Sequence, residues 1–142
     1  MNWTRTWRWA SGYLTTGTLL AASTLWCLSI LAAPVFNLPW LYDIFSRICH
    51  QDPARSWHLA GEPLSVCIRC ASIYFAFTAS LWIGFKTSVR WLRASLLFML
   101  CEFIFARLVL DEPLLRSISG ILAGLCAAPF VREAFEEIRD AM

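Results

Sequence analysis

Between Arg8 and Asp43 the chain carries no Asp, Glu, Lys or Arg. About 20 consecutive apolar residues carry an α-helix across the hydrocarbon core of a bilayer. Inside that core each backbone N–H and C=O must be satisfied within the protein. The run therefore predicts a first membrane span over residues 12–35, closed by Pro34 and Pro39, since proline cannot donate the N–H that a continuing helix needs. Trp3, Trp7, Trp9 and Tyr13 stand at its start, where amphipathic rings collect at the bilayer interface. Arg5 and Arg8 ahead of an apolar run also suit a secretory signal. The run is too long for an h-region, however, and no convincing A-x-A site follows. It is expected to be a retained span.

The rest of the chain repeats the pattern. Charged residues make up 15% of the whole, against about a quarter in soluble proteins. Further spans are expected over residues 67–85, 91–110 and 117–131. The second carries only Arg69, near its mouth. The third carries Glu102 and Arg107 and ends at Asp111-Glu112-Pro113. The fourth is shorter than the usual ~17–25 residues. Leu38, Leu41, Ile44, Phe45 and Ile48 recur at helical spacing among Asp43, Ser46 and Arg47, which predicts an amphipathic helix along the membrane surface. Val131, Phe135 and Ile138 predict a second one in the tail. The fold class that follows is an all-α, polytopic membrane protein: one domain over residues 1–142, with about four spans, an interfacial helix and a loop at 49–70. Asp52-Pro53 and Gly61-Glu62-Pro63 are turn signals in that loop.

Positive charge orients such a bundle. Both termini inside would place Arg5, Arg8, Lys86, Arg90, Arg93, Arg132 and Arg139 on the inner face. Arg47, Arg55, Arg69, Arg107 and Arg116 would then lie on the outer one. Lys86, Arg90 and Arg93 form a short basic turn between two spans, the position where the rule acts most strongly. Both termini are expected in the cytoplasm of an inner-membrane protein, with the 49–70 loop outward. A net charge of +2 gives no basis for nucleic-acid binding. No Gly-rich phosphate loop is present, and no pair of histidines within the spans suits a haem.

Chemistry concentrates in the loop. Cys49, Cys67 and Cys70 share it with His50 and His58. Cys67-Ile68-Arg69-Cys70 is a CxxC at a helix start, where residues three apart share a face and the helix dipole favours thiolates. Arg69 adds to that charge. One use is a metal site: zinc takes four N/S ligands, often with a CxxC pair. His58 can loop back freely as the fourth ligand, while His50, next to Cys49, is geometrically tighter. The other use is redox, the pair exchanging with a disulfide and with Cys49 as partner. A static bridge or free thiols is the plain structural alternative. Cys27, Cys101 and Cys126 lie mid-span and read as small packing residues.

Ile48-Cys49-His50-Gln51, Arg55-Ser56-Trp57 and the run Gly61-Glu62-Pro63-Leu64-Ser65-Val66-Cys67-Ile68-Arg69-Cys70-Ala71-Ser72-Ile73-Tyr74 resemble the predicted membrane family called domain of unknown function 2085. That family shows C-H-Q, R-S-F and P-L-P-V-C-A-R-C-T-G-I-Y in this order. Leu115-Arg116-Ser117-Ile118-Ser119-Gly120, with Ile121-Leu122-Ala123-Gly124, is similar to its L-R-x-x-T-G-x-x-x-G segment. The resemblance covers roughly residues 40–126. It implies a small helical membrane protein with no established reaction. Cys49, His50, Gln51, Arg55, Cys67, Arg69 and Cys70 carry over as motif positions. His58 does not, which favours His50 as the fourth ligand, with Gln51, Arg55 and Arg69 in support. Ser65 replaces a Pro of the motif, and Ala71-Ser72 replace Thr-Gly. Glu102 is this chain's counterpart to an acidic residue in the family's third span, without the Gln that follows it there.

A carboxylate in a span is a functional candidate. Glu102 is expected either to pair with an arginine or to relay protons. Arg107, five residues on, is not well placed for it and suits Asp111 better. Gly120-x-x-x-Gly124 permits close helix approach, first within the chain and otherwise between copies. The functional expectation is a non-enzymatic membrane protein with a structural zinc site, an accessory or assembly subunit of a larger membrane complex or a homo-oligomer. The alternatives are a thiol–disulfide oxidoreductase, quinone-linked in one form, and a small proton-coupled transporter built on Glu102.

Overall fold

The computed structural model describes the backbone of residues 3–108 and 112–141, and the side chains of residues 16–108, 112–138 and 141. Trp3, Trp7, Trp9 and Tyr13 of the expected belt lie outside the described side chains, as do Arg5, Arg8, Asp111 and Arg139. So do residues 109 and 110 of the expected third span.

The architecture is all-α apart from one minimal hairpin. Helix α1 runs over Trp3–Val35, α2 over Pro39–Ser46, α3 over Ile68–Ile83, α4 over Val89–Leu108 and α5 over Pro113–Asp140. At 1.5 Å per residue α1 is about 50 Å long, so it extends well beyond the expected span. It ends where Asn37 takes a left-handed conformation (φ 48°) and the Leu38 N–H closes on the Ala33 carbonyl at 3.0 Å. That is a Schellman closure with Asn in place of Gly. Pro39 then opens α2, a position where its missing N–H costs nothing. Leu41 and Phe45 turn inward while Trp40, Ile44 and Ile48 stay exposed. The expected stripe is thus split between two faces of α2.

The loop is more ordered than its turn signals suggest. Asp52 caps a 3-10 turn at Pro53–Arg55 through the Ala54 N–H (3.1 Å). Two-residue strands, β1 at His58–Leu59 and β2 at Glu62–Pro63, then pair antiparallel. Their connection is Ala60-Gly61, both at positive φ (55° and 88°), which a type I′ hairpin requires. Gly61-Glu62-Pro63 is therefore not the turn itself; its last two residues form the returning strand.

Helix α3 ends on Gly84 (φ 67°), with Phe85 N–H on the Ser80 carbonyl and Gly84 N–H on that of Leu81 (3.0 and 3.3 Å). Helix α5 holds the largest departure from expectation. The short fourth span and the amphipathic tail are one continuous helix that runs through Pro129. Proline at 129 deprives the Leu125 carbonyl of its helical N–H partner. Ser80 Oγ, on α3, donates to that carbonyl at 3.0 Å, and the helix continues.

Helices α3 and α5 form the closest pair, with α4 packed on α5 and α1 on α3. A Cβ on Gly120 would lie 2.7 Å from the Arg69 carbonyl oxygen. One on Gly124 would overlap the Ile73 carbonyl oxygen and lie 3.0 Å from the Phe77 nitrogen. The small-residue pair therefore serves packing within the chain. Between α1 and α3 the contact is partly polar, through Cys27 Sγ and Thr78 Oγ1 (3.2 Å) and from Trp82 Nε1 to Thr24 (3.1 Å). Trp26 bridges α1, α2 and α3, edge-on to Phe45 (5.1 Å) and Tyr74 (5.9 Å). Ile30, Ala33, Leu41, Phe45, Cys49, Leu64, Val66 and Ala71 form one core beneath the loop. Cys27 and Cys126 are buried as expected of packing residues; Cys101 is exposed on α4 and packs into no core. Among the described residues two helical stretches, Thr16–Val35 and Pro113–Ile138, are long and apolar enough to cross a membrane.

Candidate metal centre

The site is assembled from the end of α2 and the start of α3. Past Ser46 the chain closes with Cys49 N–H on the Phe45 carbonyl (2.9 Å), which sets Cys49 into the core under the loop. Gln51 follows at φ 49°. Its side-chain amide donates both protons, to the carbonyls of Tyr42 (2.7 Å) and Ser65 (2.8 Å). One side chain thus ties α2 to the segment leading into α3. Tyr42 adds a second tie, its hydroxyl donating to the Pro63 carbonyl at 2.7 Å. Cys67 is the N-cap of α3 in extended conformation, and its N–H donates to Cys49 Sγ at 3.2 Å.

The result is that the sulfurs of Cys49, Cys67 and Cys70 all lie within 4.8 Å of one another. All three cysteines are free. Cys49 is buried and the other two half-buried. The thiols of Cys67 and Cys70, and then the N–H groups of Cys67 and Gln51, hold the Cys49 thiol well below its ordinary range, against the opposing effect of burial. Thiolates held at about 2.3 Å from a tetrahedral zinc sit about 3.8 Å apart. Three thiols this close are a donor set that suits a soft divalent ion.

Neither histidine joins the three sulfurs. His50 and His58 are both exposed, the latter on β1, and among the described residues the close group contains sulfur alone. Arg55 pairs with Asp52 at 3.3 Å in the 3-10 turn. Arg69 turns away from the loop into the bundle. Its Nη2 meets Glu102 Oε2 at 2.7 Å. Ser119 Oγ donates to the same oxygen at 3.1 Å, and Arg116 Nε lies 4.0 Å from the other. Glu102 and Ser95 are the buried residues of α4. The buried carboxylate thus has two arginines, neither of them the Arg107 of its own helix, which instead stacks near Phe103 at 5.8 Å. Arg69 lies over the same ring at 5.4 Å.

Arg116 and Ser119 were not foreseen as partners of Glu102. The signal that could have found them is the L-R-x-x-T-G pattern. Ser119 keeps the hydroxyl of its Thr position, beside the Gly120 that presses on α3. The Asp111 expected beside Arg107 lies outside the described residues.

Comparison with known proteins bears on the same segment. The model of the predicted membrane protein family DUF2085 matches residues 49–130, from the first clustered cysteine to just beyond Pro129. An uncharacterized protein of Methanocaldococcus jannaschii is 31% identical over 109 residues, 69% of this chain and 70% of that one. No solved structure matches.

Proposed function

This chain belongs to the predicted membrane protein family DUF2085, and from that premise we propose that it is a four-span membrane protein holding a metal ion, zinc in the first place, at its outward end. The observation that carries the reading is the convergence of three thiols within 4.8 Å on a framework tied together by Gln51. Cys49, Cys67 and Cys70 are the ligands, and His50, or else His58, reaches the fourth position by movement of the exposed loop. The ion's chemistry is structural: it joins α2, the hairpin and α3, a region with a small core. Such a loop suits an accessory or assembly subunit, offering a fixed outer surface to a larger membrane complex.

Four helices cross in this reading: α1, α3, α4 and α5. At 16 residues, α3 rises about 24 Å, short of the ~30 Å core. Exposed Phe85, past Gly84, continues the apolar end that Trp82 and Ile83 form. The charge in α4 is tolerable because Glu102 is neutralised inside the bundle. The same pairing sharpens the orientation. Setting aside Arg69 and Arg116, which Glu102 holds, the outer side keeps Arg47, Arg55 and Arg107. Inside stand Lys86, Arg90, Arg93 and the basic residues of both termini.

Metal analysis of protein purified in mild detergent without chelator tests the reading. About one ion per chain is expected, lost in Cys67→Ser while the helical circular dichroism is kept. Wild-type protein free of metal under those conditions refutes it. The lowered Cys49 thiol favours a second reading, a membrane thiol–disulfide oxidoreductase. Differential alkylation in cells separates the two: redox work requires that Cys67 and Cys70 alternate between thiol and disulfide.

A further inference from the structure

At the opposite end of α3 from the sulfurs, the turn into α4 and the facing side of α5 enclose an open groove of about 540 Å³. That volume lies within the range of small-molecule sites, about 300–1,000 Å³. Its wall has two characters. Trp91, Leu122 and Leu125 make an apolar slope, and Lys86, Thr87 and Ser88 make a polar lip of one ammonium and two hydroxyls. No acidic residue occurs between Pro63 and Glu102, whereas Arg90 and Arg93 follow Lys86 on α4. Among the described residues no carboxylate lies within ion-pair distance of Lys86.

We infer that this groove binds one anionic glycerophospholipid, with its phosphate on Lys86, Thr87 and Ser88 and an acyl chain along Trp91, Leu122 and Leu125. A soluble anion satisfies the lip but leaves the apolar slope in water, which is unfavourable in proportion to its area. A zwitterionic lipid covers the slope but brings no net charge to a lip whose one charge is the Lys86 ammonium. An anionic lipid does both, and basic pockets between helices at a membrane surface recognise headgroups in this way. The inference rests on the proposal that α3 and α4 cross the bilayer, because that places the Gly84–Ser88 turn at headgroup depth. It does not depend on the metal.

The test is native mass spectrometry of the detergent-purified chain offered equal amounts of phosphatidylglycerol and phosphatidylcholine. One phosphatidylglycerol is expected to be retained per chain. Lys86→Gln, an exposed turn substitution, should cut that preference about fivefold, the weight of one lysine at an anionic surface. Arg93→Gln, outside the groove, should change it by less than about twofold. Absence of preference in the wild type overturns the site. Equal losses in both variants also overturn it, by showing diffuse surface charge. Carbonate-resistant incorporation into phosphatidylcholine vesicles is measured in parallel. A chain that incorporates without preferring phosphatidylglycerol refutes the groove alone, and one that fails to incorporate refutes the crossing and the groove together.

Discussion

Replacing Glu102 by Gln keeps the shape of the side chain and removes its charge. Glu102 is 3% exposed at its side chain, Arg116 9% and Arg69 20%. The substitution leaves the Arg69 guanidinium without its carboxylate and takes one carboxylate away from Arg116, where water reaches them poorly. Breaking a buried pair by removing one partner costs roughly 3–5 kcal/mol, most of it the uncompensated charge left behind. The partial exposure of Arg69 moves the expectation to the lower end, about 3 kcal/mol. Glutamine can still accept from Ser119, so that hydrogen bond offsets little of the difference. Unfolding in mixed micelles of mild detergent and dodecyl sulfate, followed by helical circular dichroism, measures the loss. The companion variant is Arg69→Gln/Glu102→Gln, which also removes the cation that Glu102 holds most closely. Its loss should fall to about half the sum of the two single losses, a coupling of the size seen for residues in one ion-pair network. A loss under about 1 kcal/mol for Glu102→Gln, or simple additivity in the double variant, refutes the claim that Glu102 is the charge centre of the bundle.

Gly124→Leu should separate α3 from α5, since even a Cβ there overlaps the Ile73 carbonyl oxygen; an overpacking loss of at least about 1–3 kcal/mol is expected in the same unfolding assay. Gln51→Ala removes both amide hydrogen bonds across the loop, leaving the Tyr42–Pro63 tie, and should weaken zinc binding about 10- to 100-fold, the usual effect of losing a partner beyond the ligands, as read by chelator competition. The Cys49 thiol is lowered in the folded chain, so the unfolded chain binds more protons there. Stability of the metal-free protein should therefore rise with pH over the whole range below the free-thiol value near 8.5, the benefit of Cys49 being complete above that value and lost progressively as pH falls toward its folded value of about 2. Cys49→Ser should flatten the slope, and an unchanged slope in that variant would count against the lowered thiol.

The helices were legible because charge and proline mark them so plainly. The basic turn at Lys86 and the prolines at 39 and 113 each fall where an element begins or ends, whereas α1 starts at Trp3, ahead of the uncharged run after Arg8. The three cysteines were legible from the CxxC spacing and the shared loop. What sequence could not supply was direction. Arg69 sits between two clustered cysteines, and nothing local says that its side chain leaves them for a carboxylate 33 positions away. His50 adjoins Cys49 in the chain, but the positive φ at Gln51 and the pull of its amide on Tyr42 and Ser65 leave the imidazole outside the sulfur group. The hairpin at 58–63 was hidden because its turn uses Ala60, a residue that rarely adopts a left-handed backbone.

The hydrogen bond from Ser80 to the carbonyl freed by Pro129 carries a consequence for how such sequences drift. The serine has a vacant acceptor to fill only because proline stands one turn further along the neighbouring helix, and the proline is tolerable mid-helix only because the serine is there. Neither residue is then a free variable. A lineage that loses Ser80 first must carry an orphaned carbonyl in its core, whereas one that first exchanges Pro129 for alanine restores the helical donor and releases position 80 to change at little cost. The order of substitution is constrained even though both end states are sound.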